Sequence, residues 1–117
     1  MTRVPRMVTF EASIFAAAGL MMFVAVDVAR AVPAPTAAVE IGNFTFKAPV
    51  TTVKVGTRVT WTNGDDIPHT IVSKDGLFKS KVLDTGDNFS FIFAKAGQFG
   101  YFCSLHPRMT GIILVKA

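Results

Sequence analysis

From Val39 onward the apolar residues of this chain recur with a period of two, in short runs cut off by glycine or asparagine. No stretch after Ala31 carries the spacing of an amphipathic helix. Side chains along a strand point alternately to its two faces, so each run can bury one face and wet the other. Val39 and Ile41 begin the series. The phase slips at Gly42-Asn43, so that Phe44 and Phe46 come to share the next face, and a slip at glycine implies a bulge or bend. Val53 and Val55 lead to Gly56. Val59 and Trp61 then alternate with Arg58, Thr60 and Thr62, and Asn63-Gly64 closes that run with residues that tolerate positive φ. Phe89, Phe91 and Phe93 form one further face, Ala96-Gly97 turns the chain, and Phe99, Tyr101 and Cys103 form another. Ile112 to Val115 is an unbroken apolar run, as in a strand covered on both sides. Short strands at near-regular spacing predict an all-β sandwich or barrel, filled by the phenylalanines and Trp61.

The segment ahead of the strands has a different character. Arg3 and Arg6 give a positive start, an apolar run extends from Ala12 to Val26, and Ala29-Arg30-Ala31 places small residues where a signal peptidase inspects them. The expected organisation is a signal peptide over 1–31, a short proline- and alanine-rich leader over 32–38, and one domain over 39–117. The apolar run is shorter than the roughly 20 residues of a spanning helix. Retention as an N-terminal membrane anchor is the alternative to cleavage. The chain carries 12 Lys and Arg against 8 Asp and Glu, a net charge of +4. The lysines are dispersed, which argues against a nucleic-acid groove. A mildly cationic surface could still attract an acidic redox partner.

The chain has one cysteine, so no disulfide can close within it, although small exported domains often depend on them. That thiol stands in YFCSLHPRMTG, as Cys103-x-x-His106-x-x-Met109, and the other histidine is His69 in NGDDIPHTIV. Taken singly, a buried cysteine is usually a small hydrophobe, a histidine at a strand end a hydrogen-bonding group, and a methionine gap filler. Together they supply one thiolate, two imidazoles and one thioether, the donor set of a blue-copper electron-transfer site. Zinc gives no reason for a methionine at that spacing. A cysteine protease needs an orienting third group and would leave Met109 without a role. Cys103 ends a strand, Pro107 stiffens the following loop, and Gly111 can take a strained turn before the last strand. Pro68 restricts Ile67 and so helps to hold His69.

These residues resemble the cupredoxins, with the short Cys-x-x-His-x-x-Met loop of the amicyanins; plastocyanins and pseudoazurins place two more residues before the methionine. The resemblance is carried by VKVGTRVTWTN, IPHT, KAGQFGYFCSLHPRM and GIILVKA. It implies an eight-stranded Greek-key β-sandwich and one type 1 copper per chain, held by His69, Cys103, His106 and Met109. It further implies a monomeric, non-enzymatic electron shuttle of the periplasm. Its donor would be a dehydrogenase-type redox enzyme and its acceptor a c-type cytochrome or oxidase, with no nucleic-acid partner. In the family the second histidine lies at the surface within an apolar patch, which here would involve Pro68, Leu105, Pro107 and Ile67. The family usually has asparagine after the first histidine, where this chain has Thr70. The expectation is that the Thr70 hydroxyl and Ser104 tie the two ligand loops together, while the Thr70 N–H donates to the Cys103 sulfur. Copper storage, delivery or protection is the rival reading. Leu77 and Phe78 in KDGLFKSK are expected to pack, with partner contact as the alternative.

Overall fold

A computed structural model describes residues Pro33–Ala117. The expected signal peptide, residues 1–31, lies outside the described residues. Eight strands follow in order: β1 (Thr36–Gly42), β2 (Thr45–Phe46), β3 (Val50–Lys54), β4 (Arg58–Asn63), β5 (Val72–Ser73), β6 (Asn88–Ile92), β7 (Gly97–Phe102) and β8 (Thr110–Lys116). They form two four-stranded sheets, ordered β2-β1-β4-β6 and β3-β8-β7-β5. The all-β expectation holds, and the inward faces of the two sheets make the core.

Period-two faces land where the sequence puts them. Val39, Ile41, Val59 and Trp61 are buried on the first sheet and Val53, Tyr101, Ile113 and Val115 on the second, with Cys103 buried just past the end of β7. Trp61 is the hub, with ring centroids at 5.3 Å from Tyr101, 5.7 Å from Phe78 and 5.8 Å from Phe89. Offset and edge-on aromatic pairs of this kind add to the stabilisation from area burial alone. Phe78 is thus a packing residue, while Leu77 beside it stays exposed.

Four local expectations are corrected. First, β1 begins at Thr36, within the stretch expected as leader. Thr36 to Ile41 pair in parallel with Arg58 to Asn63, and the Arg58 N–H donates to the Pro35 carbonyl at 2.8 Å. A proline-rich stretch is already extended, and its small alanines do not obstruct pairing. Second, Gly42-Asn43 is no bulge. Ile41 pairs with Phe46 and Gly42 with Thr45, leaving Asn43 and Phe44 as a two-residue hairpin turn with φ of 50° and 56°. Hairpins favour such turns because their twist matches the strands, but asparagine and glycine are their usual residues. The turn separates the two phenylalanines: Phe46 is buried, and Phe44 is 53% exposed.

Third, β4 closes at Asn63 as expected, but neither Gly64 nor Asn63 uses a positive φ there. Asn63 is fully buried, and its Nδ2 donates to the carbonyls of Ile67 and Leu83, both at 2.9 Å. Fourth, Gly111 lies inside β8, paired with Tyr101 of β7, rather than at a strained turn. The β8 strand runs between β3 and β7 with Ile113 and Val115 buried, whereas Ile112 and Leu114 are only partly covered on the outer face. An apolar run signals a central strand, but a sandwich wraps such a strand on one face only.

Candidate metal centre

Two loops at one end of the sandwich meet in the candidate site. The first runs from Asn63 at the end of β4 to His69. Its far end is clamped by a pair of backbone bonds: His69 N–H to Leu83 O at 3.0 Å, and Leu83 N–H to His69 O at 2.8 Å. The two Asn63 amide bonds span the same loop from inside. Pro68, exposed just before His69, limits the approach to it. The second loop leaves β7 after Phe102 and returns as β8. It closes on itself through Cys103 N–H to Met109 O at 3.0 Å, His106 N–H to Cys103 O at 3.2 Å, and Met109 N–H to His106 O at 2.9 Å. Three backbone bonds within seven residues leave the loop little freedom.

Ligand atoms of His69, Cys103 and His106 lie within 4.8 Å of one another. Nδ1 of each histidine is 3.7 Å from the Cys103 sulfur. A first-row metal with bonds of about 2.0 Å to nitrogen and about 2.3 Å to sulfur, in a trigonal plane, sets donors about 3.7 Å apart. The spacing therefore fits one ion. Met109 is buried at the end of the same loop, and of the three gathered donors only His106 is partly exposed.

Tautomer and charge agree with ligation. The Asp65 carboxylate lies 2.7 Å from His69 Nε2 and can only accept, so Nε2 carries the hydrogen and the Nδ1 lone pair faces Cys103. Asp65 itself is held below the usual carboxylate range. The Phe44 N–H is the main cause and partial burial opposes it, with His69 and the Asn43 N–H contributing further.

Burial pushes the Cys103 thiol up, but the donated Thr70 N–H, with the His69 and His106 rings and the Thr70 hydroxyl beside the sulfur, outweighs it and brings the pKa down to about 6. An unfolded thiol titrates near about 8.5. Between those two values the unfolded chain binds more protons than the folded one, so stability rises with pH across the window. It is lost as pH falls through about 6. Metal-free protein should therefore show a denaturation midpoint that climbs from below pH 6 to a plateau above about 8.5. The ultraviolet thiolate band should appear near pH 6, and a band appearing only near the free-thiol value would contradict this.

The loop-to-loop tie expected at Thr70 is present. Its N–H donates to the Cys103 sulfur at 3.3 Å, and its hydroxyl accepts the Ser104 N–H at 2.7 Å. The same hydroxyl lies 2.7 Å from the Ser104 hydroxyl and 3.7 Å from the Cys103 sulfur, and its one hydrogen can go to either. Threonine spans the gap between the two ligand loops. Thr70→Ala should remove the bond to the Ser104 N–H at a cost of about 1 kcal/mol, since Ser104 is exposed to water, and loosen the thiolate. Copper loss to a chelator should quicken and the reduction potential move; both unchanged would remove Thr70 from the site.

Of the residues expected at the site, the structure gathers His69, Cys103, His106, Thr70 and Ser104, and brings Met109 and Pro68 in beside them. Sequence reasoning missed Asn63, Asp65, Leu83 and Phe44. The run NGDDIPH contains two of them, but nothing local marks Asp65 rather than Asp66 as the partner of His69.

Known proteins agree with this geometry. A sequence profile of the cupredoxin-like domain matches residues 14–115. The amicyanin of Paracoccus versutus is 32% identical over 90 residues, 73% of this chain and 68% of that protein. The amicyanin-alpha of Methylorubrum extorquens is 30% identical over 118 residues, 95% of this chain and 99% of that protein. The crystal structure of the Paracoccus versutus amicyanin superposes with a TM-score of 0.66 at 32% identity, over 74% of this chain and 86% of that one. His69, Cys103, His106 and Met109 form a type 1 copper site. With the domain profile spanning the whole sandwich and one relative aligned over nearly its full length, the chain belongs to the cupredoxins.

Proposed function

We propose that this protein is an exported, periplasmic one-electron carrier, working between a dehydrogenase-type donor and a cytochrome-type or oxidase acceptor. Copper bound at the site supplies a Cu(II)/Cu(I) couple, one electron per chain. The observation that carries the reading is the closed construction of the donor triangle. His69 is pinned by Leu83, Cys103 by Thr70 and the Met109 carbonyl, and His106 by the Cys103 carbonyl. Donors held from behind move little when the charge on the ion changes, which lowers the reorganisation that accompanies electron transfer.

Access supports the same reading. His106 is partly exposed at the end of the sandwich beside exposed Leu105 and Pro107 of its own loop, and its ring lies 5.1 Å from that of His69, whose loop carries exposed Pro68 and half-buried Ile67. Phe44 extends this apolar surface, its ring 5.1 Å from that of His106 and edge-on to it. An apolar surface of this kind lets a partner approach the imidazole edge without stripping charged groups of water. Relatives among the amicyanins and plastocyanins are electron carriers rather than enzymes. The basic start and the Ala29-Arg30-Ala31 site support export.

A storage or delivery protein must release copper readily, and the full burial of Cys103 and His69 works against that. The discriminating experiment loads purified protein with Cu(II) and cycles it at an electrode. An intense visible band and a reversible one-electron wave, with copper retained against a mild chelator, are the expected result. A colourless product, or copper lost within one cycle, overturns the carrier reading in favour of the rival.

A further inference from the structure

The β1–β2 turn and the first ligand loop meet at a single side chain. Asn43 and Phe44 both hold left-handed φ values, 50° and 56°. For a residue as bulky as phenylalanine this is a strained conformation that persists only when its surroundings over-determine it. Asp65 supplies that constraint: its Oδ1 accepts the Asn43 N–H at 2.5 Å and its Oδ2 the Phe44 N–H at 2.8 Å. The same Oδ2 accepts the Nε2–H of His69 at 2.7 Å. Asp65 is fixed in turn by its own N–H, which donates to the buried Asn63 Oδ1 at 2.9 Å. Its side chain is only 14% exposed, so water competes weakly for the carboxylate. From the turn, the Phe44 ring stands edge-on to both imidazoles, 5.1 Å from His106 and 6.0 Å from His69.

We propose that Asp65 is a positioning residue for electron exchange: one carboxylate fixes the imidazole of His69 and, through the strained turn, the aromatic cover that Phe44 lays beside His106. Two histidines on different loops are thereby tied to one side chain that touches neither the thiol nor His106. Accepting the Nε2–H makes His69 a stronger donor through Nδ1, which favours the more highly charged state of a bound ion. Removing the carboxylate should therefore raise the reduction potential. It should also free the turn to relax, and Phe44 would leave His106. Only the potential depends on the electron-carrier reading; the turn can be followed in metal-free protein.

Asp65→Ala and the near-isosteric Asp65→Asn test this. In metal-free protein, amide hydrogen exchange at Asn43 and Phe44 should quicken roughly ten-fold in Asp65→Ala, and the nuclear Overhauser contact between the Phe44 and His106 rings should vanish. Asparagine offers one acceptor oxygen in place of two and no charge. Asp65→Asn should keep the fold yet raise the potential of the copper-loaded protein, a change that a merely structural role would not produce. Unaltered exchange and ring contact in Asp65→Ala would overturn the proposal, as would parent-like potentials in both variants. If the parent itself gives no reversible couple, the carrier reading falls, and the metal-free measurements still decide whether Asp65 holds the turn.

Discussion

Cys103→Ser is expected to abolish the intense visible absorption of the copper-loaded protein and to weaken copper retention severely, while leaving the sandwich folded. The thiolate is the one anionic donor of the four, and a neutral hydroxyl cannot replace it in either oxidation state. The environment is built for a sulfur anion. The Thr70 N–H points at it from 3.3 Å, both imidazole Nδ1 atoms stand 3.7 Å away, and the thiol pKa is brought down to about 6. Serine is smaller and nearly isosteric, and Cys103 N–H to Met109 O is a backbone bond that the substitution does not touch. Circular dichroism should therefore show the parent β-sheet signal, separating loss of the site from loss of the fold. A variant that kept its band would mean that the sulfur is not a ligand.

Gly111→Ala is expected to cost about 3 kcal/mol, at the upper end for overpacking a core, and to lower the denaturation midpoint accordingly. A Cβ on Gly111 would overlap Cζ and Oη of Tyr101 and come within 2.8 Å of its Cε2. The ring cannot step aside: Tyr101 is fully buried, wedged between Phe46 at 4.7 Å and Trp61 at 5.3 Å. β8 cannot shift either, since it is paired on both sides, to β3 and to β7. The strain falls two residues beyond Met109, so copper retention should decline along with stability. Tyr101→Phe in the same background removes only the overlapping Oη and should recover part of the loss. An alanine variant as stable as the parent would show that the Tyr101 ring has room to move.

The faces of the strands were legible in the sequence because alternation is local. Val59 and Trp61, or Phe99, Tyr101 and Cys103, choose their side of a sheet from the residues beside them. The turn at Asn43-Phe44 was misread for a related reason. A slip in alternation marks where a strand is interrupted, but a hairpin and a bulge interrupt it alike until the partner strand is known. Gly111 was placed in a turn on backbone freedom alone, when its reason is the ring across the β7–β8 pair. Thr70 could be assigned its bridge in advance only because a resemblance supplied the position to look at.

By itself, the sequence determined an all-β domain and the identity of the metal-binding side chains. Strand period is written residue by residue, and a thiol, two imidazoles and a thioether are too few and too particular in chemistry to be scattered by chance. Tertiary structure alone decided what holds those donors. Asn43 to Asp65 spans 22 positions and Thr70 to Cys103 spans 33, and such contacts exist only once two sheets have packed and brought their end loops together. A hydrogen bond has no signature along the chain at that separation, because any nearby carboxylate or hydroxyl would satisfy the same local pattern. The register of the sheets chose Asp65 over Asp66.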